Sequence, residues 1–116
     1  MEIKIQNGEG ISQAIKRKLI DECGVAENNA NFSKASIWTQ VMNTFKADGA
    51  GNTISHNGNT KSIGSEWDEL KKNVIVYTGD MIKIATATWK KILEIFGVNV
   101  QTPDGGDSTV VKGNGQ

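Results

Sequence analysis

The side chains that could carry acid–base or nucleophilic chemistry are few and scattered. His56 is the single histidine and Cys23 the single cysteine. A Ser-His-Asp or Cys-His site needs an orienting partner for its base and a nucleophile within reach, and the sequence spacing indicates neither. A pair such as Glu66 and Glu69 is typical of a solvated helix face. We therefore expect His56 to be a solvated surface residue and Cys23 a small buried hydrophobe, in a chain that is not an enzyme.

Two short motifs begin like ligand-binding loops but lack the residues that would complete them. A calcium loop starting at Asp48 would need a bidentate Glu at its twelfth position, which is Asn59. Gly8-Glu9-Gly10 lies between a predicted strand and a predicted helix, as in a dinucleotide fingerprint, but Gln13 occupies the third glycine position. The sequence therefore predicts neither a metal site nor a cofactor.

Length and charge limit the remaining classes of function. The chain has 116 residues, enough for one domain, and 13 basic residues balance 13 acidic ones. Nucleic-acid binding normally leaves a basic excess, so we expect no nucleic-acid partner and assign Lys16-Arg17-Lys18 to the solvated side of a helix. No apolar run approaches the roughly 20 residues that span a bilayer.

The cellular location is less constrained. One cysteine excludes an intrachain disulfide, which suits a cytoplasmic protein but also many modules of the bacterial envelope. The N-terminus has no signal-peptide pattern, so export would require a signal in a longer parent chain. We favour a cell-envelope or extracellular module of a larger protein, with a cytoplasmic location as the other option.

Two distant segments alternate apolar and polar residues as strands do. Residues 73–84 are the most β-prone stretch, rich in Val and Ile, with a turn at Thr78-Gly79-Asp80 before the alternating Met81 to Ile84. Glu2 to Gln6 alternates in the same way. We predict that these two segments pair as neighbouring antiparallel strands.

The segments between and after these strands have helical periodicity. Ile11, Ile15, Leu19 and Cys23 step by four residues, and Gly24 stands where a left-handed cap belongs. Two further helices are predicted: residues 34–46 with Ser33 as N-cap and Trp38 as a core anchor, and residues 66–72 with Ser65 as N-cap. Residues 86–97 have an apolar face at helical spacing that ends at Gly97, formed by Trp89, Ile92, Leu93 and Phe96, and the sequence leaves helix and strand open for this segment.

The rest of the chain is rich in turn-forming residues. Residues 47–64 contain many Gly and Asn and are predicted to form a long loop or a weak hairpin through Thr53-Ile54-Ser55. The predicted fold is therefore α+β: a small antiparallel sheet of two strands, extendable to three or four by residues 52–63, packed by three or four helices. We expect residues 1–97 to form one domain and residues 98–116 a flexible tail or linker.

The order of these elements resembles a LysM domain. Residues 5–15 follow the course of that family's first strand, Gly-acidic turn and helix, and Asn73 through Ile84 is similar to its closing pattern of Asn, apolar residues, Gly and alternating apolars. Glu66 to Lys72 resembles the end of the family's second helix. The resemblance covers residues 2–24 and 65–85, and residues 25–64 form an insertion with an extra helix.

The resemblance implies a non-catalytic module that binds glycans containing N-acetylglucosamine, of the peptidoglycan or chitin type. The implied site is a shallow groove between the first strand-helix turn and the approach to the second strand. It contains Asn7, Gly8, Glu9, Gly10, Ile11, Lys72, Asn73 and Val74.

Specific contacts can be expected within this site. Backbone groups exposed by Gly8 and Gly10 are suited to an acetamido group, and Ile11 or Val74 to its methyl. Trp67 or Tyr77 would be able to stack on a sugar, although aromatic residues are more often needed for packing in a chain with so few. The alternative function is a protein-protein interaction or structural module of a cell-surface, secretion or phage assembly, without sugar binding.

Overall fold

The N-terminal segment and the segment around residue 82 meet in one antiparallel sheet, as the sequence predicts. The computed structural model describes residues 1–48, 51–67, 74–98, 100–101 and 109–110. Its strands are β1 (Glu2–Lys4), β2 (Thr53–His56), β3 (Asn59–Ser62), β4 (Met81–Lys83), β5 (Val100–Gln101) and β6 (Thr109–Val110). Its helices are α1 (Ile11–Cys23), α2 (Ala35–Asp48), α3 (Ile63–Glu66) and α4 (Thr86–Ile95), with a 3-10 turn at Ala30–Ser33. The fold class is α+β.

Strand β4 is the centre of this sheet because both of its edges are occupied. It pairs antiparallel with β1, with Ile3 opposite Ile82, and with β2 on its other side. Beyond the strand ends, the amide of Ile5 donates to the carbonyl of Asp80 at 2.9 Å and the amide of Gly79 donates to that of Ile5 at 2.8 Å. The long-range pairing predicted from the sequence is therefore confirmed.

A hairpin extends the sheet to four strands in the order β1-β4-β2-β3. Strands β2 and β3 are joined by Asn57 and Gly58, whose φ angles are 49° and 83°. Positive φ at both central residues is the requirement of a type I′ turn, whose twist matches that of paired strands. The hairpin interpretation of this Gly/Asn-rich region is thus confirmed, and most of residues 51–64 are not a loop.

The helices pack on one face of the sheet and bury a continuous core. Ile11, Ile15, Leu19 and Cys23 are at most 3% exposed, which confirms the predicted stripe of α1. Gly24 adopts φ 73° after this helix, and Gly97 adopts φ 79° after α4. Both helices therefore end in the left-handed glycine conformation that the sequence indicates.

The predicted starts of two helices are wrong. Ser33 ends the 3-10 turn, and α2 begins two residues later at Ala35. Ser65 lies inside α3, which ends at Glu66 instead of beginning there, while residues 68–73 lie outside the described part of the chain. Helix α3 packs closely on α2: a Cβ atom on Gly64 would lie 2.7 Å from the carbonyl oxygen of Phe45.

The first half of the β-prone stretch also differs from its prediction. Val74 to Tyr77 are not in a strand, although Val74 is buried in the core. Strand β4 already has a partner on each side, so this segment finds no free edge there. The turn at Gly79 that separates the two halves is present, with φ 91°.

The region predicted as a tail lies largely outside the described residues. Val98 packs against the core, and its amide donates to the carbonyl of Leu93 at 2.9 Å. Strands β5 and β6 pair antiparallel, with Val100 opposite Val110. In the described part of the chain, no helix is long and apolar enough to cross a membrane.

Candidate functional site

The turn between β1 and α1 is closed by its own side chains. The amide of Glu9 donates to the carbonyl of Gln6 at 3.0 Å, and the amide of Gln6 donates to Oε1 of Glu9 at 2.8 Å. The amide of Gly10 donates to Oε1 of Gln13 at 2.6 Å. Within the described residues, the turn amides without a hydrogen-bond partner are those of Asn7 and Gly8, and both residues are exposed.

An ion pair fixes this turn to helix α1. Nε of Arg17 donates to Oε2 of Glu9 at 2.7 Å, and the same guanidinium reaches Oε1 at 3.1 Å and the carbonyl of Lys4 at 2.8 Å. The hydrogen bonds from Arg17 lower the pKa of Glu9, and Glu9 in turn raises the pKa of Arg17. Glu9 therefore has a structural partner and is only 14% exposed.

A groove begins where this turn enters α1 and runs along helix α2. It has a volume of about 280 Å³. We call it the tryptophan groove, and it is lined by Ile11, Ser12, Ala35, Trp38, Thr39, Met42 and Trp67. Its walls are mainly apolar, and Ser12 and Thr39 are the lining residues with a hydroxyl group.

The two tryptophans of the groove are held by different contacts. Nε1 of Trp38 donates to the carbonyl of Phe32 at 3.0 Å, and its ring lies 5.5 Å from that of Phe96. Trp67 is 6% exposed and stacks on Phe45 with ring centroids 6.0 Å apart. Trp38 is half-buried: it packs against the core, as predicted, and it also lines the groove.

The residues of the predicted site are only partly brought together. Ile11 lines the tryptophan groove although its side chain is 1% exposed. Asn7, Gly8, Glu9 and Gly10 form the preceding turn, outside the groove lining. Val74 is 2% exposed and packs in the core, while Lys72 and Asn73 lie outside the described residues.

Sequence reasoning missed the contribution of α2 to this groove. Ala35, Trp38, Thr39 and Met42 follow the spacing i, i+3, i+4, i+7, which places them on one face of a helix. The sequence therefore shows that these four residues share one helix face. It does not show that this face lines a groove, because the same spacing is expected of a helix that buries its face in a core.

A second concave surface lies at the end of the sheet and includes His56. The His56 side chain lies at the surface, as expected, and is 43% exposed, but it has a partner that the sequence did not indicate, because its Nδ1 lies 2.5 Å from Oδ1 of Asp80. The two residues are 24 positions apart and are joined because β2 pairs with β4. No short-range spacing could have indicated this contact. Among the described residues, no three His, Cys, Asp or Glu side chains are grouped to hold a metal ion.

Fold and sites together define a small α+β protein with a tryptophan-lined groove and a separate hollow around Tyr77, His56 and Asp80. Searches against protein-family models, curated proteins and solved structures gave no match to this chain. Its function is therefore argued from the geometry of these two surfaces.

Proposed function

We propose that this chain is a non-catalytic carbohydrate-binding module that recognises glycans containing N-acetylglucosamine, of the peptidoglycan or chitin type. The observation that carries the proposal is the tryptophan groove, in which Trp38 and Trp67 line an apolar cleft that also contains two hydroxyl groups. The groove starts at Ile11, the one residue of the LysM-like site that lines it.

The lining suits an N-acetylated sugar. The half-buried ring of Trp38 offers a flat apolar surface to the C–H face of a pyranose. Ile11, Met42 and Trp67, which are at most 6% exposed, line the groove as its apolar floor. The hydroxyl of Thr39 donates to the carbonyl of Ala35 at 3.1 Å, so its oxygen remains able to accept a hydrogen bond from a sugar hydroxyl. Each such bond contributes about 1 kcal/mol net, which predicts weak binding by a single module.

The groove is preorganised on one side. The bond from Trp38 to the carbonyl of Phe32 fixes the indole orientation, and Phe96 supports the ring. A ring that is already ordered loses little conformational entropy when a ligand stacks on it. The pairing of β1 with β4 places residues 2–4 beside residues 81–83, which supports the comparison with the LysM pattern.

The proposal is tested by obstructing the groove without removing a core residue. Ala35 is exposed and lines the groove, whereas Ser36 is exposed and does not line it. We expect Ala35→Gln to weaken binding of chitohexaose at least about tenfold in isothermal titration calorimetry, and Ser36→Gln to leave it unchanged.

Cellohexaose, which lacks the acetamido groups, serves as the ligand control and should bind more weakly than chitohexaose. Two results would contradict the proposal: no heat of binding with chitohexaose at millimolar concentration, or equal affinity of the Ala35→Gln and Ser36→Gln variants. Either result would show that the sugar does not bind in this groove.

A further inference from the structure

The hollow at the end of the sheet gathers the most exposed large apolar side chains of the described chain. Ile75 is 75% exposed and Tyr77 is 56% exposed, and both line this surface. Most other large apolar side chains of the described part belong to the core or pack against it. The hollow has a volume of about 270 Å³ and is lined by Ile54, His56, Asn59, Lys61, Glu66, Ile75, Tyr77 and Asp80.

A buried carboxylate fixes the aromatic ring of this hollow. Asp80 is 4% exposed, and its Oδ2 accepts from the amide of Tyr77 at 2.9 Å while its Oδ1 contacts His56. The imidazole of His56 packs against the Tyr77 ring with centroids 4.7 Å apart. Burying a carboxylate is unfavourable unless it is hydrogen-bonded, and both of its oxygens have a partner here. The phenol ring is therefore supported from one side while more than half of the residue stays exposed.

The rim supplies hydrogen-bonding groups of both charges. Nζ of Lys61 lies 3.7 Å from Oε1 of Glu66, and the two side chains are 65% and 42% exposed. An exposed ion pair at this distance contributes little, so both groups remain available to a ligand. Asn59 adds an amide beside them. Because Lys61 and Glu66 balance each other, the rim favours a neutral polar ligand over a polyanion or a strongly charged peptide.

We infer that this hollow, here called the Tyr77 hollow, is a second carbohydrate-binding site that takes one or two neutral sugar units against the Tyr77 ring. The inference rests on the proposed function for its ligand class. The Tyr77 ring, the buried Ile54 and the exposed Ile75 offer apolar contact, and the rim offers an amide, an ammonium and a carboxylate. This combination suits a sugar ring, which has an apolar face and a polar edge. The tryptophan groove shares no lining residue with this hollow.

The test follows backbone amides of the ¹⁵N-labelled chain during titration with chitotriose. Binding in the Tyr77 hollow should shift the signals of Asn59, Lys61 and Tyr77. Tyr77→Ala should raise the chitotriose concentration that half-saturates these shifts at least tenfold, because the stacking surface is lost. Tyr77→Phe keeps the aromatic ring and should change that concentration little. Thr78→Ala, a change at the next exposed residue, should leave it unchanged.

The same spectra separate failure of this inference from failure of the proposed function. If Ser12 and Thr39 respond while Asn59 and Lys61 do not at millimolar chitotriose, the groove binds sugar and the second site is refuted. If Asn59 and Lys61 respond alone, the second site stands without the groove. If neither region responds, both proposals fail. Shifts at Asn59 and Lys61 that depend on protein concentration and not on chitotriose would instead identify a contact between copies and overturn the inference.

Discussion

Asn52 connects three parts of the fold, and replacing it by alanine should be among the more damaging single substitutions. Its side chain is fully buried. Nδ2 donates to Oγ1 of Thr88 at 2.9 Å, and Oδ1 accepts from the amide of Ala85 at 2.8 Å. The Thr88 hydroxyl in turn donates to Oδ2 of Asp48 at 2.6 Å. The start of β2 is thereby tied to the start of α4 and the end of α2.

The expected loss can be worked from these contacts. The buried bond to Thr88 and the partly buried bond from Ala85 contribute about 1 kcal/mol each, and the amide of Ala85, at the N-terminus of α4, would lose its acceptor at a further cost of about 1 kcal/mol. Asn52→Ala should therefore lower the free energy of unfolding by about 3 kcal/mol. That is a large share of the roughly 5–15 kcal/mol typical of a domain.

Urea unfolding followed by circular dichroism measures this difference. The matched control is Asn43→Ala on the exposed face of α2, which should change the free energy of unfolding by no more than about 0.5 kcal/mol. Asn52→Asp provides a second comparison: it keeps an acceptor for Ala85 but places a carboxylate beside that of Asp48, so it should be at least as damaging as alanine. A loss below about 1 kcal/mol for Asn52→Ala, with an unchanged m value, would refute this account of the network.

Two further predictions concern packing and pH. Gly64→Ala should destabilise the fold by roughly 2 kcal/mol, because its Cβ would lie 2.7 Å from the carbonyl oxygen of Phe45. Thermal unfolding measures the loss, with Ser65→Ala at an exposed position as the control. Equal unfolding midpoints of the two variants would contradict the packing argument. Arg17 holds the pKa of Glu9 below its usual 4.5, so this pair stabilises the fold above that pH and the contribution is lost as the pH falls through the lowered pKa. Glu9→Gln should therefore be less stable than the wild type at pH 7 and equally stable once Glu9 is protonated, as measured by urea unfolding across pH; a pH-independent difference would argue against the ion pair.

The parts of the fold that follow local patterns were predictable. The stripe of α1 repeats every four residues and ends in a glycine, and β1 and β4 both alternate apolar and polar residues. The sequence indicates the hairpin less clearly, because every residue of β3 is polar and no apolar alternation marks this segment as a strand. Its position depends on the turn at Asn57 and Gly58 and on pairing with β2.

The candidate surfaces were less predictable because they depend on contacts between distant residues. His56 becomes a partner of Asp80 only once the hairpin has joined β4. Val74 was expected to contact a ligand, but it is buried. The sequence could not separate these outcomes, because an apolar residue at such a position fits packing in the core as well as contact with a ligand. Trp38 was assigned to the core because its size favours burial, and only the arrangement of α1, α2 and Trp67 shows that it borders a groove.

The three tryptophans allow the central claim to be tested in one spectrum. Trp38 and Trp67 line the tryptophan groove, whereas Trp89 does not line it and is 7% exposed in the core. During titration of the ¹⁵N-labelled chain with chitohexaose, we predict that the indole N–H signals of Trp38 and Trp67 shift in a saturable manner while that of Trp89 stays in place. Unchanged signals from Trp38 and Trp67 at millimolar ligand would contradict the claim that this groove binds sugar.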